Sequence, residues 1–130
     1  MKDCLFCNII KGEQASYTLY EDNDLKVIMD AFPNSPGHTL IIPKEHYKDL
    51  DDIDIDLLTK ILKKAKDIKK LLETKLNPES IILVQNNGEA EKIKHFHLHL
   101  IPTYTIVPDK TVEEMYLYDK NQNSDLFHLH

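Results

Sequence analysis

Three of the chain's seven histidines, His95, His97 and His99, stand at alternate positions of one apolar run, HFHLHLIP at 95–102. Imidazole offers two kinds of chemistry near neutral pH. It is the commonest metal-binding side chain. It is also a nucleophile, because a pKa near ~6.5 leaves a fair share unprotonated. Side chains alternate across a strand, so the three rings are expected on one face, about 6.5–7 Å apart. Phe96, Leu98 and Leu100 then point the other way, into a core. A solvated sheet face also tolerates imidazoles, but three in strict alternation on a strand this apolar point to chemistry.

A second reactive group stands near the start, Cys4 and Cys7 in DCLFCNII. A C-x-x-C pair reads as a disulfide, a redox pair, half of a zinc site, or two ordinary buried thiols. A reducing compartment disfavours the disulfide. A redox pair belongs between a strand and a helix, and only three residues precede Cys4. Zinc requires two further ligands, for which histidines are the natural candidates.

These groups need elements to carry them. Residues 4–11 read as a short helix stopped by Gly12. Tyr17 to Glu21 and Leu25 to Asp30 read as strands joined by the turn Asp22-Asn23-Asp24. The loop NSPGH leads into a strand from His38 to Pro43. From Ile55 to Leu76 the apolar residues Leu58, Ile61, Leu62, Ala65, Ile68, Leu72 and Leu76 fall at helical spacing. Asp52 or Asp54 is the expected N-cap, and Asn77-Pro78 the stop. Lysines 60, 63, 64, 66, 69 and 70 mostly fill the opposite, solvated face. Ser80 to Gln85 reads as a fourth strand, Asn86-Asn87-Gly88 as a turn, and 95–102 as the fifth strand. Five strands with a long helix between the third and fourth predict an α+β fold with an antiparallel sheet.

Composition sets outer limits. At 130 residues, a single domain over 1–130 is expected. A hydrophobic fraction of 42% with 29% charged residues reads as globular. There is no basic-then-apolar leader, and no apolar run nears the roughly 20 residues of a membrane helix. A cytoplasmic protein without a membrane partner is expected. The net charge of -6 argues against general nucleic-acid binding, yet leaves room for a small anionic ligand in a local pocket.

The motifs together resemble the histidine-triad (HIT) superfamily. HFHLHLI fits its alternating His-φ-His-φ-His-φ-φ pattern, φ being apolar. CLFCNIIKGEQASYTLYEDND, VIMDAFP, SPGHTLIIPKEHY and Asn86-Asn87-Gly88 occur in the family's order, so the resemblance covers about residues 3–102. It implies five antiparallel strands with one long and one short helix, and a homodimer whose sheets join. It implies attack on the α-phosphate of a purine nucleoside phosphoramidate or related nucleotide. His97 would be the nucleophile and form a nucleotidyl-histidine. His99 and His38 would supply donors to the phosphoryl oxygens, and a carbonyl near His95 would hold the other nitrogen of His97. Asp30 would take the ribose hydroxyls, Asn86 would stand beside the phosphate, and Val27 and Ile28 would line the base pocket or sit in the core. Many bacterial relatives hold a structural zinc at positions matching Cys4, Cys7, His46 and His95.

The chain departs from the family at 89–94, EAEKIK. The loop is about two residues shorter than in relatives and lacks their glutamine and serine. Lys92 is the better-placed replacement donor, because parity turns Lys94 away from the histidines. Thr103 replaces an arginine common after the Ile-Pro pair. Two other readings stand beside the phosphoramidase: a diadenosine polyphosphate hydrolase, and a zinc-stabilised nucleotide-binding protein without turnover. The tail 103–130, with Tyr116, Tyr118, His128 and His130, matches nothing in the family.

Overall fold

Two helices and five strands make up the fold: α1 (Leu5–Ile10), β1 (Tyr17–Glu21), β2 (Leu25–Met29), β3 (Thr39–Pro43), α2 (Ile55–Leu76), β4 (Ser80–Val84) and β5 (Leu98–Thr103). The structure, a computed structural model, describes residues 4–108. The readings placed on Tyr116, Tyr118, His128 and His130 fall outside the described residues.

The sheet runs β1-β2-β3-β5-β4, every neighbouring pair antiparallel. The histidine-bearing β5 is therefore internal, with Leu40 opposite His99 on one side and Val84 on the other. One face of the sheet packs on α2: Val27, Ile41, Phe96, Leu98 and Leu100 form one cluster with Ile61, Ile68 and Leu72. The opposite face carries a smaller cluster, in which Ile28, Leu40 and Ile42 meet Phe6 and Ile9 of α1. The histidines face this smaller cluster, as the alternation of β5 requires.

The order and type of all seven elements follow the sequence expectation, with local corrections. The fifth strand begins at Leu98, so His95 and His97 precede the regular ladder. The third begins at Thr39, leaving His38 in the loop. Asp54 caps α2 by accepting from the Leu57 N–H (3.1 Å), while Asp52 accepts from the Lys48 N–H (2.8 Å). Leu62 is 48% exposed, and Leu71, outside the expected stripe, is buried in its place. Lys64 is not solvated: it is buried, with Nζ 3.8 Å from the Tyr20 ring centroid and 3.4 Å from Asp67. Its long stem packs while its charge stays paired.

The loop before β3 is clamped to the end of β5. Ser35 Oγ donates to the Pro102 carbonyl and Tyr104 Oη to the Pro36 carbonyl. Gly37 has φ +91°, and a Cβ there would lie 2.5 Å from Leu76 Cδ1 and 3.1 Å from Pro102 Cγ. A glycine is required on both counts, conformational and steric. This clamp delivers His38 to the side of β5.

Candidate active site and metal cluster

His97 is 5% exposed, and its Nδ1 lies 2.7 Å from the backbone carbonyl of His95. A carbonyl only accepts, so Nδ1 carries a proton, and Nε2 is the nitrogen turned away from the backbone. The ring is walled by Phe6, edge to face at 4.7 Å between centroids. His97 and His99 are nearer than a flat strand implies: their ring centroids are 4.8 Å apart, against the expected 6.5–7 Å. The side chains converge because His97 leaves the ladder one residue before β5 starts.

A second chain of hydrogen bonds fixes the tautomer of His99. The Asn34 N–H donates to His38 Nδ1 (3.1 Å), so the His38 proton resides on Nε2. That Nε2–H donates to His99 Nδ1 at 2.9 Å, with Asp30 Oδ2 at 3.5 Å. His99 therefore carries its own proton on Nε2, as a donor. Burial drives the His99 pKa down to about 4, with His97 and His38 adding to the effect. It lowers His38 too, against the opposing pull of Asp30. Both rings are thus neutral near pH 7, each with a single N–H.

A cavity of about 660 Å³ opens beside these rings. That volume suits a small organic ligand. Phe6, Ile9 and Ile28 give it apolar walls, and Asp30, Asn86 and Lys92 lie in its lining. Asp30 is itself organised, its Oδ1 accepting from the Phe32 N–H at 2.9 Å. Of the two residues read as base pocket or core, Ile28 lines the cavity, whereas Val27 is fully buried under α2. Lys94 turns away, and its Nζ donates to the Gly88 carbonyl.

The second group assembles at the other end of the same segment. One ligand atom each from Cys4, Cys7, His46 and His95 lies within 4.8 Å of all the others. Cys4 Sγ is 3.3 Å from His95 Nδ1, and Cys7 Sγ is 3.2 Å from His46 Nδ1 and 3.5 Å from His95 Nδ1. Tetrahedral zinc with bonds of about 2.0–2.3 Å puts its donors roughly 3.3–3.8 Å apart, so the spacing fits. The donor chemistry fits as well. His95 is fully buried, and its Nε2–H donates to the Pro43 carbonyl at 2.8 Å, turning the bare Nδ1 to the sulfurs. The Cys7 N–H donates to Cys4 Sγ at 3.3 Å. Burial lowers His95 to about 4 and raises the Cys7 thiol, with Cys4 adding to the latter. A cation among these donors would offset the burial that opposes a Cys7 thiolate.

Residues 11–106 match the HIT domain family. The chain belongs to the HIT family. An adenosine 5′-monophosphoramidase of Saccharomyces cerevisiae is 40% identical over 101 residues, 76% of this chain and 61% of the yeast protein. An adenylylsulfatase of Arabidopsis thaliana is 39% identical over 102 residues, 77% of this chain and 52% of the plant protein. The crystal structure of a zinc-bound histidine triad family protein from Mycobacterium smegmatis superposes with a TM-score of 0.86 at 26% identity, covering 99% of both chains.

Within this HIT fold one residue was not anticipated. Glu91, in the loop 89–94, brings Oε2 to 3.4 Å from His97 Nε2, and its side chain is only 14% exposed. Its Oε1 accepts from the Ile93 N–H (3.1 Å), and Asn86 Nδ2 lies 3.4 Å from Oε2. The residue type hid it: an acid in a loop expected to face phosphate reads as a solvated charge. The counter-intuitive charge was itself the available signal.

Proposed function

We propose that the protein is a nucleotide hydrolase acting on purine nucleoside phosphoramidates, with His97 as nucleophile. The observation that carries this reading is the 2.7 Å bond from His97 Nδ1 to the His95 carbonyl, which turns Nε2 toward a nucleoside-sized cavity. The name of the yeast relative points the same way. Base and ribose occupy the cavity, with Asp30 accepting from the ribose hydroxyls. His97 Nε2 then forms a bond to the α-phosphorus, and the leaving group departs with its bonding pair. His99 Nε2–H, Asn86 and Lys92 donate to the phosphoryl oxygens. Water, losing a proton, next attacks phosphorus and returns the Nε2–P pair to the ring, releasing the nucleoside monophosphate.

Cys4, Cys7, His46 and His95 would hold zinc. A closed Cys2His2 shell supplies a cross-link between the N-terminal segment and the approach to β5, and leaves no open position for substrate. Strand β4 would pair across a homodimer. It is a sheet edge whose Ile82 and Leu83 are 48% and 45% exposed, an apolar edge that other chains can add to. Among the described residues no helix is long and apolar enough to cross a membrane.

The test is AMP release from adenosine 5′-phosphoramidate and from diadenosine tetraphosphate, with His97→Ala alongside. Turnover that vanishes in the variant, with a nucleotidylated protein trapped in the wild type, is expected. Faster release from the tetraphosphate would favour the dinucleoside polyphosphate hydrolase. Tight AMP binding without turnover of either would leave a nucleotide-binding module.

A further inference from the structure

The lining of the cavity is acidic where a nucleotide site needs positive charge. Its formally charged members are Asp30 and Glu91 against Lys92 alone. Asp30 has a role in the hydrolase reading; Glu91 has none. Yet Glu91 is the better buried of the two carboxylates, at 14% against 21% side-chain exposure, and it lies closest to the attacking nitrogen.

A carboxylate and an imidazole nitrogen face one another there. The His97 Nδ1–H is committed to the His95 carbonyl, and Nε2 meets Glu91 Oε2 at 3.4 Å. A metal shared by Glu91, His97 and His99 would reconcile them, and the three groups do cluster. The hydrogen-bond chain from Asn34 through His38 opposes this, because it puts a proton on His99 Nε2. What remains is an anion held in the position phosphorus must take. Substrate has to displace it, but not far. Only six residues, 89–94, separate Gly88 from His95, and the Glu91 N–H donates to the Gly88 carbonyl at 3.1 Å. The displaced carboxylate stays beside the phosphoryl group, on the order of 6 Å from an in-line leaving group.

We infer that Glu91 selects the leaving group: it disfavours those that depart as anions, such as sulfate or polyphosphate, and favours those that depart as amines. This rests on the hydrolase reading and deepens it. In both reactions Nε2 bonds to phosphorus and the leaving atom takes the bonding pair. An amine nitrogen takes up a proton from water and departs neutral. Sulfate departs as a dianion with no proton gained. A fixed carboxylate at that distance, partly screened, penalises each extra negative charge on the order of tenfold.

The experiment compares kcat/KM for adenosine 5′-phosphoramidate, adenosine 5′-phosphosulfate and diadenosine tetraphosphate in wild type, Glu91→Gln and Glu91→Lys. The isosteric glutamine should shift the ratio of phosphosulfate to phosphoramidate about tenfold toward the anion, and the lysine further, with the tetraphosphate moving more than the phosphosulfate. Raising salt on the wild type alone should narrow the same ratio, which keeps the inference testable if a variant does not fold. Ratios within twofold in both variants, or a salt-independent wild-type ratio, would overturn it. Should wild type turn over none of the three, the hydrolase reading falls on its own. Calorimetric affinities for ATP against AMP then decide the charge selection: a gap closing about tenfold in Glu91→Gln supports it, and an unchanged gap overturns it.

Discussion

His95 and His97 stand two residues apart on the same side of the chain, and the fold gives them opposite ring polarity. His95 turns Nε2 to the Pro43 carbonyl and leaves Nδ1 for the cysteines. His97 turns Nδ1 to the His95 carbonyl and leaves Nε2 for the cavity. Each ring has one nitrogen pinned by a backbone carbonyl and the other turned to its own surroundings, the sulfurs for His95, the cavity and Glu91 for His97. The difference is where the pinning carbonyl lies. A backbone oxygen, rather than the residue type, decides which histidine can bind metal among sulfurs and which can face a ligand.

The largest expected effect breaks the cavity half of this comparison. His97→Ala should lower AMP release from a phosphoramidate by about a thousandfold or more, and abolish any nucleotidylated protein in a mass spectrum. A loss smaller than tenfold would mean that His97 Nε2 is not the nucleophile. The metal half breaks with Cys7→Ser. Bound zinc, read by elemental analysis, should fall to background, and unfolding free energy should drop by roughly 2–5 kcal/mol in chemical denaturation. Full stability without metal would reduce the cluster to four neighbouring polar groups, two of them buried.

His38→Ala sharpens the comparison. It removes the donor that fixes His99 Nδ1 as an acceptor, so the His99 proton is free to move between nitrogens. Steady-state rates should show kcat down on the order of tenfold with KM moving less. An equal rise in KM would instead make His38 a binding residue. The smallest effect is in pH. His99 titrates near 4 in the folded protein and near ~6.5 in an unfolded chain, which therefore binds the proton first. Its contribution is complete above about pH 6.5 and is lost as pH falls toward 4. Denaturation at stepped pH should show stability declining through that window, and His99→Gln should flatten the slope. An unaltered slope in the variant would assign the decline to other groups.

Much of the fold was legible because periodicity is local. The stripe Ile61, Ala65, Ile68, Leu72 and Leu76 identifies α2 and its buried face without any knowledge of the sheet. Leu62 and Leu71 were exchanged because the orientation of the helix on the sheet, absent from its own periodicity, selects between neighbouring residues at the edge of the stripe. The boundary of β5 was missed for a related reason: Phe96 bonds through its N–H to the Tyr47 carbonyl, outside the ladder, and the sequence around it still alternates like a strand. Lys64 read as solvent-facing because Tyr20, the ring it covers, lies on a different element. Glu91 went unnoticed because charge type alone does not reveal that a loop folds back over His97.

By itself the sequence determined the element order, the antiparallel α+β class and the set of residues able to do chemistry, since these depend on spacing along one chain. It did not determine what each ring nitrogen does. For His95 and His99 that depends on partners far away in sequence, Pro43 and His38, whereas for His97 it depends on the local path that sets its ring against the His95 carbonyl and folds Glu91 back over it. A hydrogen bond depends on distance and direction between atoms, and only the packed sheet brings those carbonyls and carboxylates within three or four ångströms of the rings they govern.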